Sequence, residues 1–193
     1  MPCGRPIVIS GPTAVGKGTV VAELLRRDPS IYLSVSATTR PPRPGEIDGV
    51  HYHFLTDDQF DDVKANGGFL EWAQVHNAYR YGTLRAPLEQ ALAEGRTAIC
   101  EIDLQGERQL RSTIPDAFTI FIAPPSWEEL VSRLRGRGTE SDEQMRQRLV
   151  TAKEELASQH EFDAVVINTT VEETVDKLLE LVGNHPSTSV TRI

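Results

Sequence analysis

Residues 11–20 read GPTAVGKGTV, and the reading of the whole chain turns on them. The run fits the phosphate-loop pattern GxxxxGK, with Gly11, Gly16 and Lys17 at its fixed positions. Residues 7–10 before it form a short apolar, β-branched strand, and the helix predicted after it, residues 17–27, carries Val20, Val21, Leu24 and Leu25 on one face. Strand, glycine loop and helix in that order is the setting in which such a loop binds phosphate. Glycine lets the backbone from Gly11 through Pro12, Thr13, Ala14 and Val15 to Gly16 approach an anion that side chains would keep away. The helix that follows aims its positive end at the same anion, and Lys17 adds a mobile charge. A ligand-free turn between a strand and a helix is the plainer alternative, but the GK dipeptide in register with the helix start favours nucleotide.

One position departs from the pattern. Gly18 stands where a Ser or Thr hydroxyl would ligate Mg²⁺, and the next hydroxyl is that of Thr19. Mg²⁺ keeps several waters and takes its main ligands from nucleotide phosphates. The loop is therefore expected to work, with Mg²⁺ held mainly by phosphates and water, near Thr19 and Asp103.

The chain of 193 residues is long enough for one well-buried core with small inserted lobes. Its 39% hydrophobic and 25% charged residues exclude the disordered and membrane-embedded classes. No apolar run approaches the ~20 residues that cross a bilayer. The start, MPCGRPIVIS, lacks the apolar stretch of a secretion signal, and Pro2 stands where a myristoylated chain has glycine. Cys3 and Cys100 make neither a disulfide framework nor a zinc pattern, which fits a cytoplasmic protein. A formal net charge of −8 argues against a general nucleic-acid binder, which needs broad positive surface. Arginines instead gather locally, around Arg40 and Arg43 and between Arg133 and Arg148. Such clusters are ordinarily solvated surface unless something anionic lies beside them.

Buried strands are also predicted at residues 97–102, 118–122 and 164–167, separated by helical patterns at 104–111, 127–135, 142–160 and 172–182. Ser126 with Glu129, and Ser141 with Gln144, stand at capping-box spacing. This alternation predicts an α/β fold, a parallel sheet with helices on both faces. Residues 34–95 break the rhythm with a proline-rich loop, HYHF, a helix capped by Thr56 with Gln59, strands at 69–75 and 79–83, and a helix ending near Gly95. They are read as an inserted mixed α/β lobe. Residues 185–193 lack a packing pattern and are expected to form a mobile tail.

The segment SVSATTRPPRPGEIDGVHYHF, residues 34–54, holds Arg40 and Arg43 on a proline-stiffened backbone. Two readings stand for it by itself: a phosphate site, which suits arginine's planar fork, or a ligand for an aromatic-lined peptide-binding domain. Beside a phosphate loop, a second phosphate site is the more economical. Together with FLEWAQVH…YGT, EIDLQG, IFIAPPS and RLRGRGTES…RQRL, these segments resemble the guanylate kinase family, of bacterial type. They stand in the family's order and cover the chain apart from its tail. The GKGT order is also similar to the loop of adenylate kinases.

The resemblance implies a P-loop nucleoside-monophosphate kinase fold and MgATP-dependent conversion of GMP to GDP, with ATP and GMP as partners. It implies a core of residues 4–33, 96–125 and 150–184, a GMP-binding lobe of 34–95 and an arginine-bearing lid of 126–149. It places Arg40, Arg43, Tyr52 and Tyr81 on the GMP phosphate, with Glu46 ordering the arginine loop. Glu71 becomes the guanine reader, with Ser36 and Thr83 able to donate to the guanine oxygen. Lys17, Arg43, Arg137 and Arg148 carry the transfer, Arg133 joins them on ATP, and Asn168 is an adenine-side contact. Two departures matter. Family members often have Asp where Glu101 stands, so Glu101 and Asp103 are divided between metal water and the GMP side, with Asp103 as a plain helix cap the alternative. The spacing between EW and YG is one residue longer than usual, which leaves the assignment of Tyr81 rather than Tyr79 undecided.

Two rival readings fit the sequence less well. A kinase of phosphorylated sugars would not need the guanine set Ser36, Glu71 and Thr83. A guanylate-kinase-like binding module would tend to have a damaged loop, whereas Gly11, Gly16 and Lys17 all stand. His51 and His53, two apart on an expected strand, lack a third metal ligand at suitable spacing.

Overall fold

The computed structural model describes residues 5–75, 79–136 and 142–184 of the chain. β1 (Pro6–Ser10) runs into the glycine loop and α1 (Lys17–Arg27) follows. Next come β2 (Tyr32–Leu33) and β3 (Ala37–Thr38), then β4 (His53–Phe54), α2 (Asp57–Ala65), β5 (Phe69–Val75) and β6 (Tyr79–Leu84). α3 (Arg85–Ala93), β7 (Ala98–Glu101), α4 (Leu104–Thr113), β8 (Phe118–Ala123) and α5 (Trp127–Gly136) lead to the far side. α6 (Asp142–Ala157), a 3-10 turn at Gln159–Glu161, β9 (Ala164–Ile167) and α7 (Val171–Asn184) complete it.

Five strands form a parallel sheet in the order β2-β7-β1-β8-β9. Alternation along these strands divides their side chains between two helical layers. Ile7, Ile9, Ile99, Ile120 and Ile122 face one cluster, with Val20, Val21 and Leu24 of α1, Leu130 and Leu134 of α5, and Val175 and Leu178 of α7. Val8, Ala98 and Cys100 face the other, with Leu110 of α4 and with Leu88, Ala91 and Leu92 of α3. The sequence division at residue 95 draws α3 into the lobe, whereas its apolar face packs on the core sheet. No helix among the described residues is long and apolar enough to cross a membrane.

The second sheet has four strands in the order β4-β3-β6-β5, mixed in direction. Its core is small: Ala37, Phe60 and Phe69, flanked by Leu55, Val63, Trp72 and Leu84. Phe60 and Phe69 have ring centroids 4.4 Å apart, and the Arg80 guanidinium lies 4.7 Å from the Phe60 centroid on its ion pairs with Asp57 and Asp61. The expected capping box opens α2. Gln59 N–H donates to Thr56 Oγ1 at 3.2 Å and Thr56 N–H donates to Gln59 Oε1 at 2.8 Å.

Three details differ from expectation. β2 and β3, two residues each, are too short to leave a periodic signal. The helix expected through residue 160 ends at Ala157, because the chain must turn for Phe162 to pack on Phe121, 5.1 Å between ring centroids. His51 is not on a strand with His53; it sits in the preceding turn, where its Nδ1 accepts the Ile47 N–H. The Ser141–Gln144 pair, Cys3 and the tail residues 185–193 fall wholly or partly outside the described residues.

Truncation of Phe60 to Ala empties the centre of a core with little around it to collapse. It is expected to cost about 3–5 kcal/mol in urea unfolding, against about 1 kcal/mol for Thr56→Ala, which loses the cap alone.

Candidate active site

The glycine loop sits at the carboxyl end of β1 and is braced from two sides. Gly11 has φ +149°, and a Cβ there would strike the carbonyl oxygen of Ile122 in β8. Gly16 has φ +100°, and its Cβ would lie 2.9 Å from Asn168 Nδ2. Both positions therefore require glycine. Between them the Val15 carbonyl accepts from Asn168 Nδ2 at 2.7 Å and from Arg133 at 3.0 Å. The buried Asn168 also accepts the Thr174 hydroxyl at 2.9 Å, so its amide is engaged beneath the loop. Gly16 caps α1 without a side chain, leaving the first-turn amides to other acceptors. Lys17 Nζ donates to the carbonyls of Gly11 and Pro12. A Cβ on Gly18 would meet nothing within 4 Å, so the missing hydroxyl does not follow from lack of room.

Beside the loop lies a cavity of about 480 Å³ that gathers residues far apart in the chain. Thr13, Lys17 and Arg148 line it; so do Arg40, Arg43, Glu46, Tyr52 and Tyr81, and so do Ser36, Glu71, Glu101 and Asp103. Thr19 is exposed and outside this lining, and Arg137 lies outside the described residues. β6 pairing fixes the tyrosine register: Tyr81 stands opposite Thr38 and Ala73, beside the cavity, while Tyr79 is 40% exposed.

Among the cationic residues Glu46 ties the arginine loop together. One carboxylate oxygen takes Arg40 at 2.8 Å and the other takes the Arg43 N–H at 2.7 Å. Those two contacts hold the Glu46 carboxyl down at about 2. The buried Arg40 guanidinium also lies 5.4 Å from the centroid of Tyr52, whose ring meets Tyr81 edge-on.

Glu71, on β5, also lines the cavity. Thr83 on the neighbouring β6 donates its hydroxyl to Glu71 Oε1 at 2.6 Å, a support for the carboxyl rather than a free donor into the cavity. Burial pushes the Glu71 carboxyl up to about 7, with the Asp103 charge adding to it and the Thr83 hydrogen bond opposing. Behind it Cys100 is fully buried in β7; burial and then Glu71 push its thiol to about 12. Asp103 caps α4, its Oδ1 accepting the Gly106 N–H at 2.7 Å, so the cap role and a place on the cavity wall coexist. Burial also raises Glu101, which the Lys17 charge counteracts.

One residue was missed by sequence reasoning. Glu155 on α6 is buried, one of its oxygens has no hydrogen-bond partner, and burial pushes it up to about 7 against the Lys17 charge and the Thr13 N–H. Arg148, seven residues earlier on the same helix face, donates to the Thr13 hydroxyl at 3.4 Å. That spacing was the available signal. Glu155 and Asp103 also line a second cavity, of about 590 Å³, between α4 and α6.

Comparison with known proteins meets this geometry directly. The family model for guanylate kinase matches residues 3–185. The chain belongs to the guanylate kinase family. A guanylate kinase of Cutibacterium acnes is 62% identical over 176 residues, 91% of this chain and 88% of that protein. One from Thermobifida fusca is 56% identical over 184 residues, 95% and 93% of the two chains. In three dimensions the chain is similar to the guanylate kinase crystal structure from Anaplasma phagocytophilum, with TM-score 0.79 and 29% identity over 99% of this chain and 92% of that one. The family match takes in both sheets and every described helix, and so every residue that lines the cavity.

The raised Glu71 carboxyl makes stability depend on pH. A carboxyl whose folded value lies above its ordinary 4.5 favours the folded state while protonated, and that contribution is lost as pH rises from 4.5 through about 7. Glu71→Gln, which mimics the protonated group, should therefore raise the stability above pH 7, by on the order of 3 kcal/mol at most, and change it little below pH 4.5. Thermal unfolding of both proteins across that range is the check.

Proposed function

We propose that this cavity carries out the family's reaction, moving the γ-phosphoryl group of ATP onto GMP to give ADP and GDP. The observation that carries the reading is one cavity lined by arginines and phenols, by a buried carboxylate and by the lysine of the phosphate loop. GMP has the complementary form, an anion at one end and two N–H donors on the guanine edge at the other. Arg40, Arg43, Tyr52 and Tyr81 bind its phosphate, and Glu46 holds the two arginines in place. Glu71 accepts from the ring N–H and the amino group, Thr83 steadies Glu71, and Ser36 meets the guanine oxygen. Adenine would turn a ring lone pair toward that carboxylate, which makes the discrimination strong. ATP lies along residues 11–19 with Lys17, Arg133, Arg137 and Arg148 on its phosphates, while Asn168 braces the loop from beneath.

The chemistry follows from charge. A GMP phosphate oxygen is already ionised near neutral pH, so no base has to prepare it. The site must align two mutually repelling anions and neutralise the charge on the group passing between them. Lys17 exchanges the carbonyls of Gly11 and Pro12 for phosphate oxygens, and Arg43, Arg137 and Arg148 converge on the transferred group. Closure of the lid, residues 126–149, toward the lobe, residues 34–95, excludes water as a competing acceptor.

A divalent metal fits as a companion of the nucleotide. No group of three or more His, Cys, Asp or Glu among the described residues is arranged to hold one, whereas Glu101 and Asp103 place hard oxygen donors on the wall shared with Lys17. Held by phosphates and water beside them, Mg²⁺ would offset charge on the phosphoryl oxygens. We place this reaction in the cytoplasm, which the cysteine usage suits.

The test is nucleotide chromatography after incubation with MgATP and GMP, AMP, CMP or UMP separately. ADP and GDP are expected with GMP alone; no turnover with any of the four, in folded protein, would overturn the reading in favour of a binding module. Lys17→Ala should lower turnover about a hundredfold or more. Because Glu71 accepts both guanine donors only when ionised, KM for GMP should fall about tenfold from pH 6 to pH 8. The Glu71→Gln variant should lose that part of the profile, and the difference between the two profiles isolates it.

A further inference from the structure

Gly106 is the third residue of α4 after its Asp103 cap. That position is where Glu or Gln would close a capping box, and glycine is among the residues a helix tolerates least. Nothing in α4 itself explains the choice. The explanation lies on β5. A Cβ on Gly106 would stand 2.8 Å from Glu71 Oε2 and 3.2 Å from Glu71 Cδ, with Asp103 Oδ1 at 3.4 Å. The Glu71 carboxyl thus rests on the bare backbone of the first turn of α4, while Thr83 holds its other oxygen at 2.6 Å.

The same face of α4 grips β5 at two more levels. Gln109 Oε1 accepts the Trp72 N–H at 3.3 Å, and the Thr113 hydroxyl donates to the Leu70 carbonyl at 3.1 Å. Residues 106, 109 and 113 fall at the spacing of one helix face, so the helix is docked along the strand. Room for a side chain at position 106 could come only from moving Glu71 or undoing that docking.

We propose that Gly106 is a specificity-determining positioning residue, whose missing side chain leaves the space in which the Glu71 carboxylate lies at the angle that presents it to the guanine edge. The inference rests on the guanine-reading role proposed for Glu71. A carboxylate that accepts two parallel N–H bonds must keep both oxygens in the plane of the base. A methyl group at 2.8 Å from one oxygen is inside van der Waals contact and rotates the carboxyl off Thr83. The phosphate end of the cavity, carried by other elements, is left as it was.

The experiment is a double-mutant cycle of Gly106→Ala and Glu71→Ala, with KM for GMP, KM for ATP, kcat and the thermal unfolding midpoint measured for each protein. Gly106→Ala is expected to raise KM for GMP about tenfold, to leave KM for ATP unchanged and to keep kcat within about twofold. In the Glu71→Ala background it should add nothing to KM for GMP, since no carboxyl remains to be displaced. A merely structural glycine would lower the unfolding midpoint, disturb both KM values and act in full in either background; that result overturns the proposal. So does an unchanged KM for GMP in Gly106→Ala when Glu71→Ala raises it. If Glu71→Ala itself leaves KM for GMP unchanged, the guanine-reading role fails first and the proposal with it. Should Gly106→Ala not fold, the double variant decides: relief of the clash restores the fold, and failure to restore it overturns the contact.

Discussion

The parallel pairing of β1 with β7 on one side and β8 on the other is the constraint from which the site follows. With β1 in the middle of the sheet, its carboxyl end opens between two neighbours whose own ends come to the same level. β8 presses the Ile122 carbonyl against Gly11, which fixes where the loop starts. β7 delivers Glu101 and then Asp103 to the wall of the cavity. In open α/β sheets ligands sit beyond the carboxyl ends of the strands, where the chain departs in opposite directions, and the cavity here opens at those ends. The lobe sheet contributes its part by standing against the same opening, with β5 held to α4.

Charge is distributed on the same plan. The protein is acidic as a whole, yet Arg40, Arg43, Lys17 and Arg148 share one cavity. They are held near one another because acceptors are arranged among them: Glu46 for the arginine loop, the carbonyls of Gly11 and Pro12 for Lys17. Glu71 and Glu155, both buried and both pushed up to about 7, show the opposite cost, that of keeping carboxyl groups where water is scarce. Stability is given up at both positions as pH rises through neutrality.

Much of the fold could be read from the chain where its signals are local. The loop, the alternation of strand and helix, and the Thr56 cap each depend on residues within a few positions of one another. The lobe was legible in outline, but β2 and β3 exist only because neighbouring strands offer them partners, and two residues cannot show a period. The choice of Tyr81 over Tyr79 needed the β5–β6 register, a contact between segments. Gly106 did carry a local sign, a poor helix former in a first helical turn, but its cause was a side chain thirty-five positions away (71 against 106). Glu155 was hidden for a related reason. On a helix rich in charged residues, only its spacing from Arg148 set it apart from the carboxylates that face water.

Cys100 shows what this packing means under chemical stress. A thiol reacts with oxidants and electrophiles as its thiolate, and burial beside Glu71 keeps that form out of reach at neutral pH. The sulfur beside Glu71 is therefore a small apolar filler, inert toward sulfenic acid formation and alkylation while the strand stays folded. Oxidative chemistry at this residue reports unfolding of the sheet, not the state of the cavity above it.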